Sequence, residues 1–225
     1  MRFMTKQWMS RLAALALAMG LTAGVAGAAV AQSVSGQAYG VYVSTPVASQ
    51  PQSPLAVLPA ISAPNGDIAN ATADVLNVPN AVSSDFLNST TTGAIGTTAA
   101  SAQSIASVAD VNILGGLITA TTLSAVVTSS RTATGATSNA NGSTFANLTV
   151  NGVAVTVGDA AVAPNTSMPL PGVGYVVLNE QTPTGDGVTS SGITVNMIHV
   201  VLQDALTGMK TGEIIVASAG SSVGS

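Results

Sequence analysis

The sequence of 225 residues has no cysteine, one histidine and seven aromatic residues. Without cysteine the chain has no disulfide, no thiolate metal ligand and no thiol nucleophile. Charge is scarce too, since five basic and nine acidic residues make up 6% of the chain, against about 25% in a typical domain. Such a chain lacks the basic surface that holds nucleic acid. Its polarity comes from Ser, Thr, Asn and Gly.

The N-terminus has the pattern of a secretory signal peptide. Residues 1–11 carry three basic side chains, and residues 12–31 form an uncharged, mostly apolar run. Ala29 and Ala31 place small side chains where a signal peptidase needs them, which predicts cleavage after Ala31. An uncleaved anchor is the alternative, because such a run is long enough to span a bilayer. However, its second half is mainly Ala and Gly, which insert weakly.

Residues 32–225 are expected to form a single domain. This part of the chain has nine acidic residues and two basic ones, Arg131 and Lys210, so its formal charge is −7. Nucleic acid and anionic lipid head groups repel a chain of that charge. No second long apolar run is present, so we expect no membrane insertion after cleavage and a secreted, extracellular or surface-associated protein.

From about residue 99 onward, Val, Ile and Thr alternate with small polar residues, which predicts strands. The clearest hairpin spans 145–157, where Asn151-Gly152 supplies the two positive φ angles of a type I′ turn. Its apolar face is expected to continue from Leu148 across the turn to Val153 and Val157.

A second hairpin joins 101–114 to 117–129 through Gly115-Gly116, although the Ala- and Ser-rich first arm also allows a short helix over 98–109. Further strands are expected at 34–43, 173–180, 192–202 and 213–219. Eight to ten strands with short turns predict an all-β fold, an antiparallel, jelly-roll-like β-sandwich or a closely related barrel.

Two segments interrupt this pattern. Residues 46–64 hold five of the ten prolines, which excludes a central strand and predicts an extended loop or an edge cover. In 193–202 the apolar alternation changes phase after Met197. Either a bulge reverses the register there or the strand is buried on both faces, and we prefer the doubly buried central strand.

Six segments in order resemble the choice-of-anchor P family of bacterial secreted and surface proteins. They are SGQAYG (35–40), NILGGLITA (112–120), LTVNG (148–152), LPGVGYVVLNEQ (170–181), ITVNMIHVVL (193–202) and GEIIVASAGSS (212–222). The resemblance implies a signal peptide, one β-rich extracellular domain and attachment to the cell surface, and it implies no catalytic residue. The chain ends at Ser225 without a sorting motif or apolar tail, which favours free secretion or non-covalent association.

Any catalytic or metal site that uses histidine must be built around His199. This residue stands between Ile198 and Val200 in an apolar strand, which indicates a packed imidazole. Glu180 ends another strand and is expected to be solvated at a turn, with His199 or Lys210 as its alternative partners.

Calcium needs several converging oxygen ligands, whereas the aspartates of this chain are scattered singly. The turn 182–187, with Asp186 between two glycines, is the best candidate, and a plain turn is preferred. A sugar platform has few aromatic rings available to line it. We therefore assign no catalytic, cofactor-binding or metal-binding residue and no cofactor.

The expected function is that of a non-enzymatic extracellular or cell-surface structural or interaction protein. Few lysines are available to block strand edges, so self-association through sheet edges is expected, or binding to cell-surface components. A module that binds glycan or calcium is the alternative. A secreted hydrolase using Glu180, Asp186 or His199 is less favoured.

Overall fold

In the computed structural model, residues 32–62 and 66–225 are described, and the expected signal peptide, residues 1–31, lies outside them. Every regular element in the described residues is a strand, and all strand pairs are antiparallel. The all-β antiparallel sandwich is therefore confirmed. No helix in this part of the chain could cross a membrane.

Seventeen strands make up the described part of the chain. They are β1 (Ser33–Ser44), β2 (Ser49–Ile61), β3 (Gly66–Ala73), β4 (Leu76–Val78), β5 (Val82–Ser84), β6 (Leu87–Ile95), β7 (Ala100–Ile113), β8 (Ile118–Thr132), β9 (Gly135–Asn139), β10 (Thr144–Ala146), β11 (Thr149–Val150), β12 (Val153–Ala154), β13 (Asp159–Ala160), β14 (Thr166–Leu170), β15 (Gly174–Gly185), β16 (Ser191–Gln203) and β17 (Lys210–Gly224).

The strands form two sheets. The six-stranded sheet has the order β14-β15-β16-β17-β1-β2, and the eleven-stranded sheet contains β3 to β13, with β3-β6-β7-β8 as its long strands. Between described strands, the chain passes from one sheet to the other only after β2 and after β13. Consequently β1 and β17, the first and last strands described, lie side by side, with Ser33 opposite Gly224.

Aliphatic side chains fill the space between the sheets. Each long strand turns alternate residues inward, as the period of two in strands requires. The largest fully buried side chains are Phe145, Leu58, Leu87, Ile113, Ile118, Leu123, Leu148, Leu170, Leu178, Met197, Ile198 and Ile214. Most of them belong to one cluster, and a smaller cluster around Leu58 and Val223 lies nearer one end of the sandwich.

A layer of buried hydroxyls separates the two aliphatic clusters. Ser104 Oγ lies 2.8 Å from Thr91 Oγ1 and donates to the Gly220 carbonyl at 2.8 Å. Likewise Ser129 Oγ lies 2.8 Å from Ser221 Oγ. These contacts join the facing sheets and satisfy polar groups that would be costly to bury unpaired. The core is therefore held by hydroxyl pairs as well as by aliphatic packing.

The Pro-rich segment is a strand, so the predicted loop over 46–64 is wrong for most of its length. β2 contains three of the five prolines and pairs with β1 alone, as an edge strand. Proline fits an edge because its missing N–H can face away from the ladder. The exclusion of a central strand is confirmed.

Both predicted hairpins are present. Gly115-Gly116 connects β7 to β8, so the helix alternative over 98–109 is wrong. At Asn151-Gly152 the φ angles are 53° and 73°, as the type I′ turn requires. The apolar face does not continue across this turn, because Leu148 is fully buried whereas Val153 is 63% exposed. The second arm, β12, ends the sheet and has no layer above it.

The phase change in β16 alters which of its residues point into the core, and it does not bury both faces of the strand. Met197 and Ile198 are both buried, while Thr194 is exposed and His199 is half-buried on the opposite face. In the neighbouring strands, Asn179 and Ala217 have φ angles of 49° and 54° beside this point. The preferred interpretation is right that β16 is a central strand, between β15 and β17, and wrong that both of its faces are buried. The inward face changes at Met197, as in the alternative, but the pairing shows no register shift there.

Candidate functional site

The outer face of the six-stranded sheet carries most of the chemistry of the described chain. Side chains directly opposite each other on antiparallel strands point to the same face. Pairing therefore places Tyr42 on the same face as His199, through Ile215 between them. Tyr39 and Tyr175 reach this face through Ser218 and Val201 in the same way. All three tyrosines, the only histidine and both glutamates of the described residues thus share one face of the sheet, on which Tyr39 is buried.

His199 bridges two carboxylates on this face. Its Nδ1 lies 2.9 Å from Glu180 Oε2 on β15, and its Nε2 lies 3.0 Å from Glu213 Oε2 on β17. The expectation that Glu180 is solvated at a turn is wrong, because Glu180 lies within β15 and its side chain is 27% exposed. Of its two alternative partners, His199 and Lys210, His199 is the one found. Lys210 instead donates to Glu213 Oε2 at 2.8 Å. We call these four residues the charged clasp, since they join three adjacent strands.

The clasp fits a protonated imidazole, because only an imidazolium can donate from both ring nitrogens. The Glu180 carboxylate, followed by Glu213, raises the pKa of His199 against the lowering effect of burial. The His199 hydrogen bond lowers the pKa of Glu180. For Glu213 the main cause of its lowered pKa is the Lys210 ammonium, and His199 adds to it.

A polar row extends the clasp across the sheet. The Asn196 amide donates to Glu180 Oε2 at 2.7 Å, and Ser218 Oγ donates to Asn196 Oδ1 at 2.7 Å. Tyr39 follows next to Ser218, and burial raises the pKa of its phenol. Sequence reasoning missed Glu213 and this row. Glu213 could have been found by pairing residues outward from the β16–β17 turn. This pairing sets Glu213 opposite Val201, which is diagonal to His199.

Neither ring nitrogen of His199 is free for acid–base or metal chemistry. A general base needs a free lone pair directed at the substrate, and both ring nitrogens of His199 already face carboxylates. The two nitrogens point apart, so they cannot converge on one ion. Among the described residues no group of three His, Asp or Glu side chains is arranged to hold a metal.

Asp186, the predicted calcium candidate, caps its own turn. Its Oδ1 accepts the backbone N–H groups of Val188, Thr189 and Ser190 at 2.8–2.9 Å. Oδ2 accepts the Thr189 hydroxyl at 2.6 Å. These donors, led by that hydroxyl, hold the pKa of Asp186 far below its ordinary value. The carboxylate lies at the opposite end of β16 from His199, so the structure does not bring Asp186 and His199 together.

Concavities of the described residues lie away from the clasp, and two of them are relevant to binding. An open groove of about 440 Å³ on the outer face of the six-stranded sheet is lined by Ser35, Thr194 and Ser222, with Val57 and Pro59 as one wall. A cleft of about 550 Å³ opens between the sheets beside β15. Its lining carries the side-chain amides of Asn139, Asn141, Asn179 and Gln181 and no charged residue.

The sheet edges differ in how they are protected. Three prolines lie in β2, Pro169 lies in β14, and Pro183 lies in the half of β15 that extends beyond β14. Strand β3 pairs with β6 alone, and its eight residues include neither proline nor lysine. None of those eight residues is buried. Among edge strands of five or more described residues, β3 is the most open to another strand.

Comparison of the chain with protein-family models, with curated proteins and with solved structures finds no match. The resemblance to choice-of-anchor P proteins therefore stays a prediction from the sequence motifs.

Proposed function

We propose that this chain is an exported, non-enzymatic structural or interaction domain of a cell surface or extracellular matrix, of the kind that choice-of-anchor P proteins represent. The observation that carries the proposal is the closed charged clasp. Both nitrogens of His199 and one oxygen of each glutamate are bound to one another across β15, β16 and β17. Groups used in this way tie strands together and leave neither ring nitrogen of His199 free to act as a base.

The surface around the clasp supports the same proposal. The outer face brings tyrosines together with small hydroxyl and amide side chains, and tyrosine is enriched where proteins contact each other. The described chain has little charge with which to attract nucleic acid or anionic lipid. The composition of this outer face is typical of a surface that binds another protein.

Cell fractionation tests the export part of the proposal. We expect the chain recovered from the medium or the surface fraction to have the mass of residues 32–225. Replacing Ala31 by Phe puts a large side chain at the cleavage position, so this variant should keep its full-length mass. The variant Ala60→Phe, at an exposed position in β2, is the matched control and should be cleaved normally. Full-length wild-type protein in the cytosol would contradict the proposal.

The amide-lined cleft favours a second function, binding of a neutral glycan. Side-chain amides both donate and accept hydrogen bonds, which suits sugar hydroxyls. Asn179 and Gln181 are already positioned by a hydrogen bond of 3.0 Å between them. Calorimetric titration with neutral oligosaccharides tests this function, with Gln181→Leu expected to abolish the heat and Gln103→Leu, on the far sheet, expected to preserve it. If titration of the wild-type chain with these oligosaccharides releases no heat of binding, the glycan-binding hypothesis is wrong.

A further inference from the structure

We infer that two copies of this chain associate by pairing their β3 strands antiparallel across a two-fold axis, so that their eleven-stranded sheets become continuous. The inference rests on the proposed function and names its partner, a second copy. It starts from the hydrogen-bonding groups of β3 that the fold leaves free.

The free backbone groups of β3 can be identified. Ile68 N–H donates to the carboxylate of its own neighbour, Asp67, at 2.8 Å. An N–H that turns to the preceding side chain is not engaged in the β3–β6 ladder. Backbone groups alternate in direction along an antiparallel strand, so those of Ile68, Asn70 and Thr72 face the open edge. No other backbone group of the described residues bonds to them outside that ladder.

The side-chain pattern of β3 is self-complementary when the axis passes through Asn70. Residues directly opposite must point to the same face, so position 70 pairs with itself and Ile68 pairs with Thr72 of the partner copy. Each hydrogen-bonded pair exchanges two bonds, which gives about six backbone hydrogen bonds at the junction. The two Asn70 amides then face each other, and Asp67 lies opposite Ala73 of the other copy. No two like charges lie directly opposite each other, since Asp74, just beyond β3, lies opposite Gly66.

Charge distribution favours a second copy at this edge. The described chain is acidic, yet β3, β6, β7 and β8 together contain only Asp67, Asp110 and Arg131 as charged residues. The charged clasp lies on the other sheet. A copy that approaches along β3 therefore meets few charges within the strands, although Asp74 follows β3 directly and Asp85 lies just before β6.

The other edge strands of five or more described residues are less open to the same contact. Proline lacks the N–H that a new strand would need, and it occurs in β2, in β14 and in the free half of β15. Ala136 in β9 already donates its N–H to the Gly187 carbonyl at 3.2 Å. Association through β3 consumes the open edge on each copy, so it closes at a dimer and does not extend into a filament.

Sedimentation of purified variants that carry a charge at position 70 tests the β3–β3 pairing. Asn70→Lys and Asn70→Glu each place like charges directly opposite across the axis, and we expect both variants to be monomers. Mixed in equal amounts they should form a heterodimer, because lysine then faces glutamate. Gln103→Lys and Gln103→Glu are the matched controls. They add the same charges to an exposed site on the central strand β7 and should leave dimerisation unchanged within about twofold.

Several outcomes would overturn the inference. One is a purified wild-type chain that stays monomeric up to about 1 mM. This result would overturn the inference even if a strand of another protein were found to pair with β3. Another is an Asn70→Lys variant that dimerises as the wild type does, or two position-70 variants that fail to associate when mixed. Fractionation separates this result from the proposed function: an exported monomer removes the pairing alone, whereas a cytosolic dimer removes the export.

Discussion

Replacing His199 by Gln should destabilise the protein and remove most of its response to pH between 5 and 9. In the wild type the imidazolium donates at 2.9 Å and 3.0 Å to two carboxylates. Hydrogen bonds to charged groups contribute about 1.5–3 kcal/mol each when well buried. The side chains of His199, Glu180 and Glu213 are 15%, 27% and 23% exposed, so solvent screening reduces each bond to about 1 kcal/mol. The expected loss is about 2 kcal/mol.

The sign of the pH effect follows from the direction of each pKa shift. Because the folded pKa of His199 is raised above its ordinary value of 6.5, its contribution is complete below pH 6.5 and is lost as pH rises through the folded value. The lowered pKa values of Glu180 and Glu213 act at the acid end. Their contribution is complete above the ordinary value of 4.5 and is lost as pH falls through the folded values. Stability should therefore be highest between pH 4.5 and 6.5.

Urea unfolding of both proteins from pH 5 to 9 measures this effect. With a slope of about 2 kcal/mol/M, the wild-type midpoint at pH 6 should exceed that of His199→Gln by about 1 M. The difference should shrink as pH rises beyond the raised pKa of His199. Lys210→Gln is the control, because Lys210 is 52% exposed and its loss should cost at most about 0.5 kcal/mol. Parallel pH profiles for wild type and His199→Gln would refute the protonated clasp.

Three further changes test the packing and the turns. Leu87→Ala should lower the free energy of unfolding by about 2–5 kcal/mol, whereas Leu206→Ala, at a 96% exposed site, should change it by less than about 0.5 kcal/mol in the same urea titration. Equal effects would contradict the core. Gly36→Ala should destabilise by about 1–3 kcal/mol because its Cβ would overlap Thr91 Oγ1; wild-type stability of this variant would mean that the sheets can separate there. Adding calcium should leave the melting temperature of the wild type and of Asp186→Asn unchanged, since the Asp186 oxygens are used by its own turn. A calcium-dependent rise in the wild type alone would restore the metal site.

Local signals predicted the strands and their tight turns. Gly115-Gly116 and Asn151-Gly152 are short-range features, because positive φ angles at both positions are a property of those two residues. The Ala- and Ser-rich arm over 98–109 was ambiguous by composition. Pairing of β7 with both β6 and β8 decides it, and that tertiary contact overrides the helix propensity of Ala.

The parts that the sequence left open depend on distant strands. The phase change at Met197 was visible, but its meaning is set by Asn179 and Ala217 on the two neighbouring strands. The sequence offers His199 only as an alternative partner of Glu180, and it gives no sign of Glu213, whose position depends on the register of β17. The hydroxyl layer could not be foreseen either, since its members come from β6, β7, β8 and β17.

The position of β17 also constrains the order in which this molecule can fold. It is the last strand described, yet it lies between β16 and β1 in the middle of its sheet. Until residues 210–224 have been synthesised, β1–β2 and β14–β16 are two separate ribbons, each with a bare edge where β17 will insert. Contacts between residues so far apart in sequence make folding slow. The six-stranded sheet therefore stays incomplete until residues 210–224 are present, and a chain truncated before Lys210 should never acquire it.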